Sequence, residues 1–179
     1  MTTDVQGVSF SSLTVADVAP LTEDAVAITF AVPEDLADSY RFSPGQHIAV
    51  RANIDGQDVR RTYSICADAG SQLLRIGVKR LDGGLFSTFA TTRLRPGDQL
   101  EVTAPHGEFT IETAPDRTKH YGAVAAGSGI TPVLSMISSV LAAEPASRFT
   151  LLFGNRSSAS IMFLEELEGL KDRYPDRFQ

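Results

Sequence analysis

The sequence predicts a β + α/β protein: an antiparallel β-barrel followed by an incomplete doubly wound parallel-sheet unit. Three observations carry this. Up to about residue 103 the chain is a series of short, alternating, strand-like runs separated by turn signals, the pattern of a small closed barrel rather than an open sheet. At 113–119 it passes through a polar stretch that contains Pro115. Beyond that, short apolar runs alternate with amphipathic stripes in the order β-α-β-α. The boundary is placed at Ala114, giving a barrel unit over 1–114 and the beginning of an α/β unit over 115–179.

Residues 11–18 alternate loosely and read as a strand, 20–24 as a turn, and 25–32 as the returning strand. Residues 33–39 are a polar connection, and Ser43-Pro44-Gly45 is a turn signal. A third strand follows over 46–52. Asp55-Gly56 then makes a hairpin turn into the strand-like run 58–67. Residues 73–81 give a fifth strand and 99–103 a sixth, after the turn Arg95-Pro96-Gly97-Asp98. In the second unit, 120–126 reads as a buried parallel strand. Apolar residues at Val133, Leu134, Ile137, Val140 and Leu141 make 131–143 an amphipathic helix, with Pro132 suited to its first turn. Residues 149–153 read as a second buried strand. A second helix is expected over 160–172, with Ile161, Leu164, Leu167 and Leu170 on one side.

Composition removes several classes of function. The net charge is −6 and the basic residues form no long runs, which argues against nucleic acid as a partner. The single cysteine, Cys66, excludes an internal disulfide framework and any four-cysteine zinc or iron–sulfur site within these residues. His47, His106 and His120 are scattered without metal-ligand spacing. The first residues lack a basic segment followed by an apolar one, so no signal peptide is read. No apolar run approaches the ~18 residues a membrane span needs. A cytoplasmic protein with no membrane partner is expected.

Four motifs lie on this scaffold. In Arg60-Arg61-Thr62-Tyr63-Ser64-Ile65-Cys66, strict alternation puts Val59, Arg61, Tyr63 and Ile65 on one face. Arg61 and Tyr63 then stand roughly 6.5 Å apart, facing the same way. A planar fork of donors beside an aromatic plane suits an anionic group next to a flat ring, as in a flavin nucleotide. The alternative is an edge strand with solvated arginines. Gly83-Gly84-Leu85-Phe86-Ser87-Thr88 opens a short helix running to about Arg93. Its free N–H groups, the Ser87 and Thr88 hydroxyls, and the nearby Lys79 and Arg80 suit a phosphate; the alternative is a capped glycine turn. Gly127-Ser128-Gly129-Ile130-Thr131-Pro132 lies between strand and helix, where a dinucleotide pyrophosphate sits, although Pro132 stands in place of a third glycine. The alternative is a packing turn. Phe153-Gly154-Asn155-Arg156-Ser157 ends the second strand of that unit without an acidic residue for a ribose 2′-hydroxyl. Arg156 and Ser157 suit a 2′-phosphate, hence NADPH; the alternative is a polar loop.

In this order, after Pro44-Gly45-Gln46, the four motifs resemble the ferredoxin–NADP⁺ reductase superfamily. Arg60–Cys66, Val78-Lys79-Arg80 and Phe153-Gly154-Asn155-Arg156 are similar to the reductase subunits of phenylacetyl-CoA epoxidases and their relatives. The resemblance implies a barrel that binds FAD, where the residues alone leave FAD and FMN open, and an α/β unit that binds NAD(P)H. It implies that Arg61 holds the FAD pyrophosphate, Tyr63 stacks on the flavin, and Ser64 approaches its reactive edge. Thr62, Val78, Lys79, Arg80, Gly83, Gly84, Phe86, Ser87 and Thr88 fall in matching cofactor-binding stretches, and His47 matches a cofactor-contacting position. Gly127, Ser128, Gly129, Thr131 and Pro132 match the loop beside the nicotinamide, with Thr131 near the flavin.

The function implied is a flavin oxidoreductase of phenylacetate catabolism. It passes electrons from NADPH through FAD to an iron–sulfur centre and on to the oxygenase component of a multicomponent complex. The [2Fe–2S] cluster would lie in a C-terminal domain absent from these residues. Two strands and two helices do not complete a sheet, so a fragment of a longer protein is expected, with weak NADPH binding and self-association through an open sheet edge. Two other readings stand: a flavin-binding electron-transfer subunit without productive NAD(P)H binding, and a non-catalytic barrel interaction module.

Overall fold

The computed structural model describes residues 2–3 and 9–179; Met1 and residues 4–8, which include part of the stretch read for a signal peptide, lie outside the described residues. The barrel strands are β1 (Thr2–Thr3), β2 (Ser9–Thr22), β3 (Ala25–Ala31), β4 (His47–Ile54), β5 (Gln57–Ser64), β6 (Leu74–Lys79) and β7 (Gln99–Thr103). They form one antiparallel sheet in the order β5-β4-β7-β2-β3-β6, with β1 beside β2. Asp55 and Gly56 both take positive φ, 52° and 81°, as a tight hairpin between β4 and β5 requires. The sheet curls until Ile65 and Ile76 form an isolated antiparallel bridge, with the Cys66 N–H on the Arg75 carbonyl at 2.9 Å. Closure is limited to that point, so the expected closed barrel is a half-barrel. Helix α1 (Leu85–Thr92) packs against β3, β4, β5 and β6 and sends Phe86 and Ala90 into a core with Leu13, Ile28, Ile48, Val50, Ile76 and Val78.

Two local expectations shift. The turn expected at 20–24 shrinks to Glu23-Asp24, because β2 runs to Thr22. Pro20 is tolerated there: β2 pairs with β7 only as far as Thr14, and the register with β3 slips between Pro20 and Thr22. The polar connection 33–39 contains a 3₁₀ turn, Glu34–Tyr40, and buried Tyr40 donates its hydroxyl to the Val102 carbonyl at 2.8 Å.

In the second unit β8 (His120–Ala126) and β9 (Arg148–Gly154) pair in parallel. Helix α2 (Ile130–Ala143) buries the five apolar residues expected of it. Helix α3 is Leu164–Arg173, shorter than expected. Ile161 lies before it, and Leu164 is exposed. Met162 and Phe163 do the burying instead, with Phe163 at φ 61° as the chain turns into the helix. The two strands are not buried on both faces. Tyr121, Ala123, Ala125, Phe149, Leu151 and Phe153 face a cluster shared by α2 and α3, whereas Val124 is 81% and Leu152 64% exposed. The cause is topological: consecutive right-handed crossovers lay both helices on one face. Past α3, residues 177–179 come alongside β9 in parallel. The Phe149 N–H meets the Arg177 carbonyl at 2.7 Å and the Leu151 N–H meets the Gln179 carbonyl at 2.7 Å.

The two units meet along the outer face of β6 and the segment after β5. A Cβ on Gly77 would fall 2.8 Å from the Thr131 methyl and 2.8 Å from the Phe163 ring, so glycine is what lets α2 and Phe163 seat on the barrel. Ser135 Oγ donates to the Ala67 carbonyl at 2.7 Å, and the Ala69 N–H donates to Ser139 Oγ at 3.0 Å. Arg75 bridges to Glu166 at 2.8 Å and lies over the Phe163 ring.

Candidate functional site

The sequence motifs on β5, at the start of α1 and at Gly127–Gly129 come together around β6. Val59 near the start of β5 and Ile65 just past it point into the core, and Tyr63, on their face, is half-buried against Phe86 with ring centroids 5.5 Å apart. Arg61 shares that face but is exposed, donating Nη1 to the Arg60 carbonyl at 2.7 Å. Burial pushes the Tyr63 hydroxyl up to about 12, and the neighbouring Arg61 cation partly offsets it. Alternation along β5 puts the Arg61 cation and the Tyr63 ring on one face of the strand. Arg60 turns to the other face, over the Phe10 ring at 5.1 Å. Thr62 and Ser64 follow Arg60 by alternation, so their side chains oppose Tyr63. β5 ends at Ser64, but Ile65 keeps the alternation and its pairing into the core, so the strand's end does not turn Ser64 towards Tyr63. The Ile65–Ile76 bridge, continued one step, sets Ser64 opposite Gly77, against which buried Thr131 packs. Ser64 and Thr131 are thus brought to the same seam.

His47 is paired with Ser64 across β4–β5. Its ring meets His106 edge-on at 4.2 Å, and a Cβ on Gly107, at φ 117°, would fall 2.7 Å from its Nδ1. Burial, and then the charge of His106, hold the His47 pKa below the usual histidine value. His106 escaped sequence reasoning, because its partner lies 59 positions away and only the sheet register joins them.

The phosphate-loop residues divide. α1 starts at Gly84 without a side-chain cap, leaving its first-turn N–H groups for a ligand, and Gly83 at φ 72° has nothing within 4 Å of a Cβ. Thr88 is exposed. Ser87 is committed internally: its Oγ accepts from the Leu81 N–H at 3.1 Å and donates to the Gly84 carbonyl at 3.2 Å. Val78 and Phe86 are fully buried, so Val78 offers only backbone, and Phe86 supports Tyr63 from behind. Lys79 is drawn to Asp24 at 3.4 Å, while Arg80 is exposed. This donor set, an uncapped helix start beside an exposed guanidinium and a half-buried phenol ring, matches a flavin with phosphate groups.

On the α/β side, Gly127–Gly129 is a 3₁₀ turn with Gly127 at φ 50°, and α2 begins without a side-chain cap. Ser128 and Gly129 are exposed, and Thr131 Oγ1 donates to the Ser128 carbonyl at 3.1 Å. Pro132 sits in the first turn of α2, where no intrahelical N–H is needed. Beyond β9, Arg156 and Ser157 are exposed, and Ser157 and Ser160 bond each other reciprocally.

Comparison with known proteins agrees with this geometry. The pattern of the oxidoreductase FAD-binding domain matches residues 12–111, and that of the oxidoreductase NAD-binding domain matches 123–179. One subunit of the 1,2-phenylacetyl-CoA epoxidase of Escherichia coli is 49% identical over 96% of this chain and 48% of its own length. The ferredoxin reductase component of 3-ketosteroid-9-alpha-monooxygenase from Rhodococcus rhodochrous is 35% identical over 92% of this chain and 46% of its own. The chain thus spans about half the length of these relatives. Among solved structures, the ferredoxin–NADP⁺ reductase of Plasmodium falciparum superposes with a TM-score of 0.82 at 19% identity, covering 99% of this chain and 73% of that one. With the FAD-binding domain matched over 12–111 and the NAD-binding domain over 123–179, the chain belongs to the oxidoreductases that join these two domains, and its fold is that of the ferredoxin–NADP⁺ reductases.

Proposed function

We propose that the chain is the FAD- and NADPH-binding portion of a reductase component that supplies electrons, through an iron–sulfur centre, to the oxygenase of a multicomponent system of the phenylacetyl-CoA epoxidase kind. The observation that carries this is the half-buried Tyr63 ring against Phe86 with exposed Arg61 two residues before it on β5. FAD, when bound, supplies a ring that accepts hydride from a reduced nicotinamide and yields electrons singly. The protein's part is binding and orientation. Arg61 and the start of α1 hold the diphosphate, Tyr63 covers one face of the ring, and Ser64 and Thr131 border its reactive edge. His47 closes the side next to Ser64. The Gly127–Gly129 turn and the start of α2 receive the second dinucleotide. Arg156 and Ser157, with no acidic residue in 153–158, support NADPH over NADH.

The names of the relatives, one a component of an epoxidase and the other a ferredoxin reductase component of a monooxygenase, support the oxygenase partner. No helix among the described residues is long and apolar enough to cross a membrane. That, with a single buried thiol, supports a cytoplasmic reaction. The interval between the two matched domains, 112–122, supports a division between the units at Ala114. The test is an FAD titration of the purified protein followed by anaerobic addition of NADPH. Stoichiometric flavin binding and bleaching of the flavin absorbance are expected; a protein that stays colourless in excess FAD overturns the proposal.

A further inference from the structure

The histidines have no metal-ligand spacing in sequence, yet the fold brings two of them together. His47, at the start of β4, and His106, past the end of β7, form an isolated antiparallel bridge. Each N–H donates to the other's carbonyl, at 3.0 and 2.9 Å. Residues opposed in this way project their side chains from the same face, and the two imidazoles meet edge-on with centroids 4.2 Å apart. Ser64 pairs with His47 from the other side, so the backbone under the pair is held from two directions. His106 Nδ1 lies 3.1 Å from the Ala104 carbonyl. A carbonyl only accepts, so in the neutral ring Nδ1 carries the proton and Nε2 presents its lone pair. One ring nitrogen donating to backbone and the other bare is how metal-bound histidines are oriented. The His47 ring is half-buried and bonds no described residue through its nitrogens, so its lone pair is unspent as well. His106 is exposed, which opens the pair to solvent.

We infer that His47 and His106 form a two-histidine site for a transition-metal dication, Zn²⁺ or Cu²⁺, set against the flavin site. Zinc sits about 2.0–2.1 Å from each imidazole nitrogen it binds, and two rings this close bring one ion within reach of both. Imidazole suits zinc and copper, whereas magnesium and calcium take oxygen ligands. Among the described residues no third His, Cys, Asp or Glu joins the pair. Water therefore completes the shell, and the ion is an exchangeable ligand rather than a structural one. The register gives the site a consequence. His47 is directly opposite Ser64, so a hydrated dication held there stands beside the edge at which the flavin is reduced and obstructs the nicotinamide. That consequence, unlike the site itself, rests on the proposed function.

The experiment is a calorimetric titration of the full, tag-free chain with Zn²⁺, alongside electron paramagnetic resonance of its Cu²⁺ complex. A single zinc site is expected, and a copper spectrum coupled to two nitrogens. His47→Gln and His106→Gln should each weaken zinc at least about tenfold, a loss that removing even a group behind a ligand reaches. His120→Gln should leave zinc affinity unchanged, because His120 Nε2 is bonded to Thr150 Oγ1 at 2.8 Å on the other unit. Absence of zinc binding, coupling to a single nitrogen, or an affinity indifferent to His106→Gln overturns the site. The copper spectrum is taken on the wild type, so it decides the matter even where a variant misfolds. With FAD bound, saturating zinc should slow anaerobic flavin bleaching by NADPH about tenfold in the wild type and not in His106→Gln. Zinc bound at the pair without slowing overturns the obstruction alone. A chain that binds zinc at the pair but takes up no FAD overturns the proposed function and leaves the cation site standing.

Discussion

Arg61 and Tyr63 do different work at the flavin site, and substitution separates them. Arg61 is exposed and its guanidinium donates to the neighbouring Arg60 carbonyl, so its removal costs the fold little. Its expected contribution is a charge-assisted bond to a diphosphate. Arg61→Ala should weaken FAD binding roughly 10–100-fold with an unchanged melting temperature, as read by flavin fluorescence titration. Arg61→Lys should recover only part of that, because a point charge lacks the planar fork. Tyr63 is held against Phe86 through its ring. Tyr63→Phe should therefore keep FAD affinity within about twofold, whereas Tyr63→Ala should lose both stacking and support. If Tyr63→Phe released the flavin as completely as Tyr63→Ala, the ring would not be the recognising group. The Arg61–Tyr63 pairing was legible from period-2 alternation alone. The internal use of Ser87 was not, since a serine after two glycines reads the same whether its hydroxyl faces a ligand or its own turn.

The elements are tied together by polar groups that periodicity cannot reveal. Glu144, at the end of α2, is fully buried. Its carboxylate accepts from Ser147 Oγ at 2.7 Å, the Tyr121 hydroxyl at 3.0 Å and the Ala114 N–H at 3.1 Å, with Arg117 3.6 Å away. It thereby joins α2, β8 and the linker at 114–119. Burial, the largest single effect, pushes its pKa up, but the bonds from Ser147, Ala114 and Tyr121 and the charge of Arg117 together hold it below the ordinary value of 4.5. A folded pKa below the unfolded one means that the ionised form favours the fold. Its contribution is full above the unfolded value and is lost as pH falls through the folded value. Glu144→Gln should destabilise the protein by about 1–3 kcal/mol at pH 7, and the gap to wild type should narrow below pH 4.5, in urea unfolding followed across pH. A gap that widened in acid would refute the network. Gly77 works at the same scale without charge. Gly77→Ala places a methyl against Thr131 and Phe163 and should cost about 1–3 kcal/mol by the same measurement. Helix α2 was legible because its five apolar positions follow the helical period. The start of α3 was misplaced because Met162 and Phe163, not the periodic Ile161 and Leu164, carry the burial.

At the scale of the whole molecule, two layers face each other across Gly77 while a third face, on the α/β unit, lies bare. The sequence predicted buried strands because runs such as Ala123-Val124-Ala125-Ala126 and Leu151-Leu152-Phe153 are apolar on both alternating sets. That composition records what the strands are suited to, whereas these residues place helices on one side only. Phe109, Val124 and Leu152 are 66%, 81% and 64% exposed, and Phe109 and Val124 border a groove of about 290 Å³ with Tyr121, Ile111 and Phe149. Residues 177–179 already lie along β9, so on that side the edge is partly paired, and the open edge is that of β8. Exposed apolar surface beside an unpaired strand favours association with a second copy. As a 179-residue polypeptide the protein should therefore show concentration-dependent dimers or larger species in light scattering. The double substitution Val124→Lys and Leu152→Glu should return it to a monomer. Both side chains project into solvent, so the melting temperature should change little and FAD affinity, set on the other unit, should not move. If the wild-type chain is monomeric at concentrations where the double variant is also monomeric, the bare face does not drive association, and the burial pattern of β8 and β9 needs another cause.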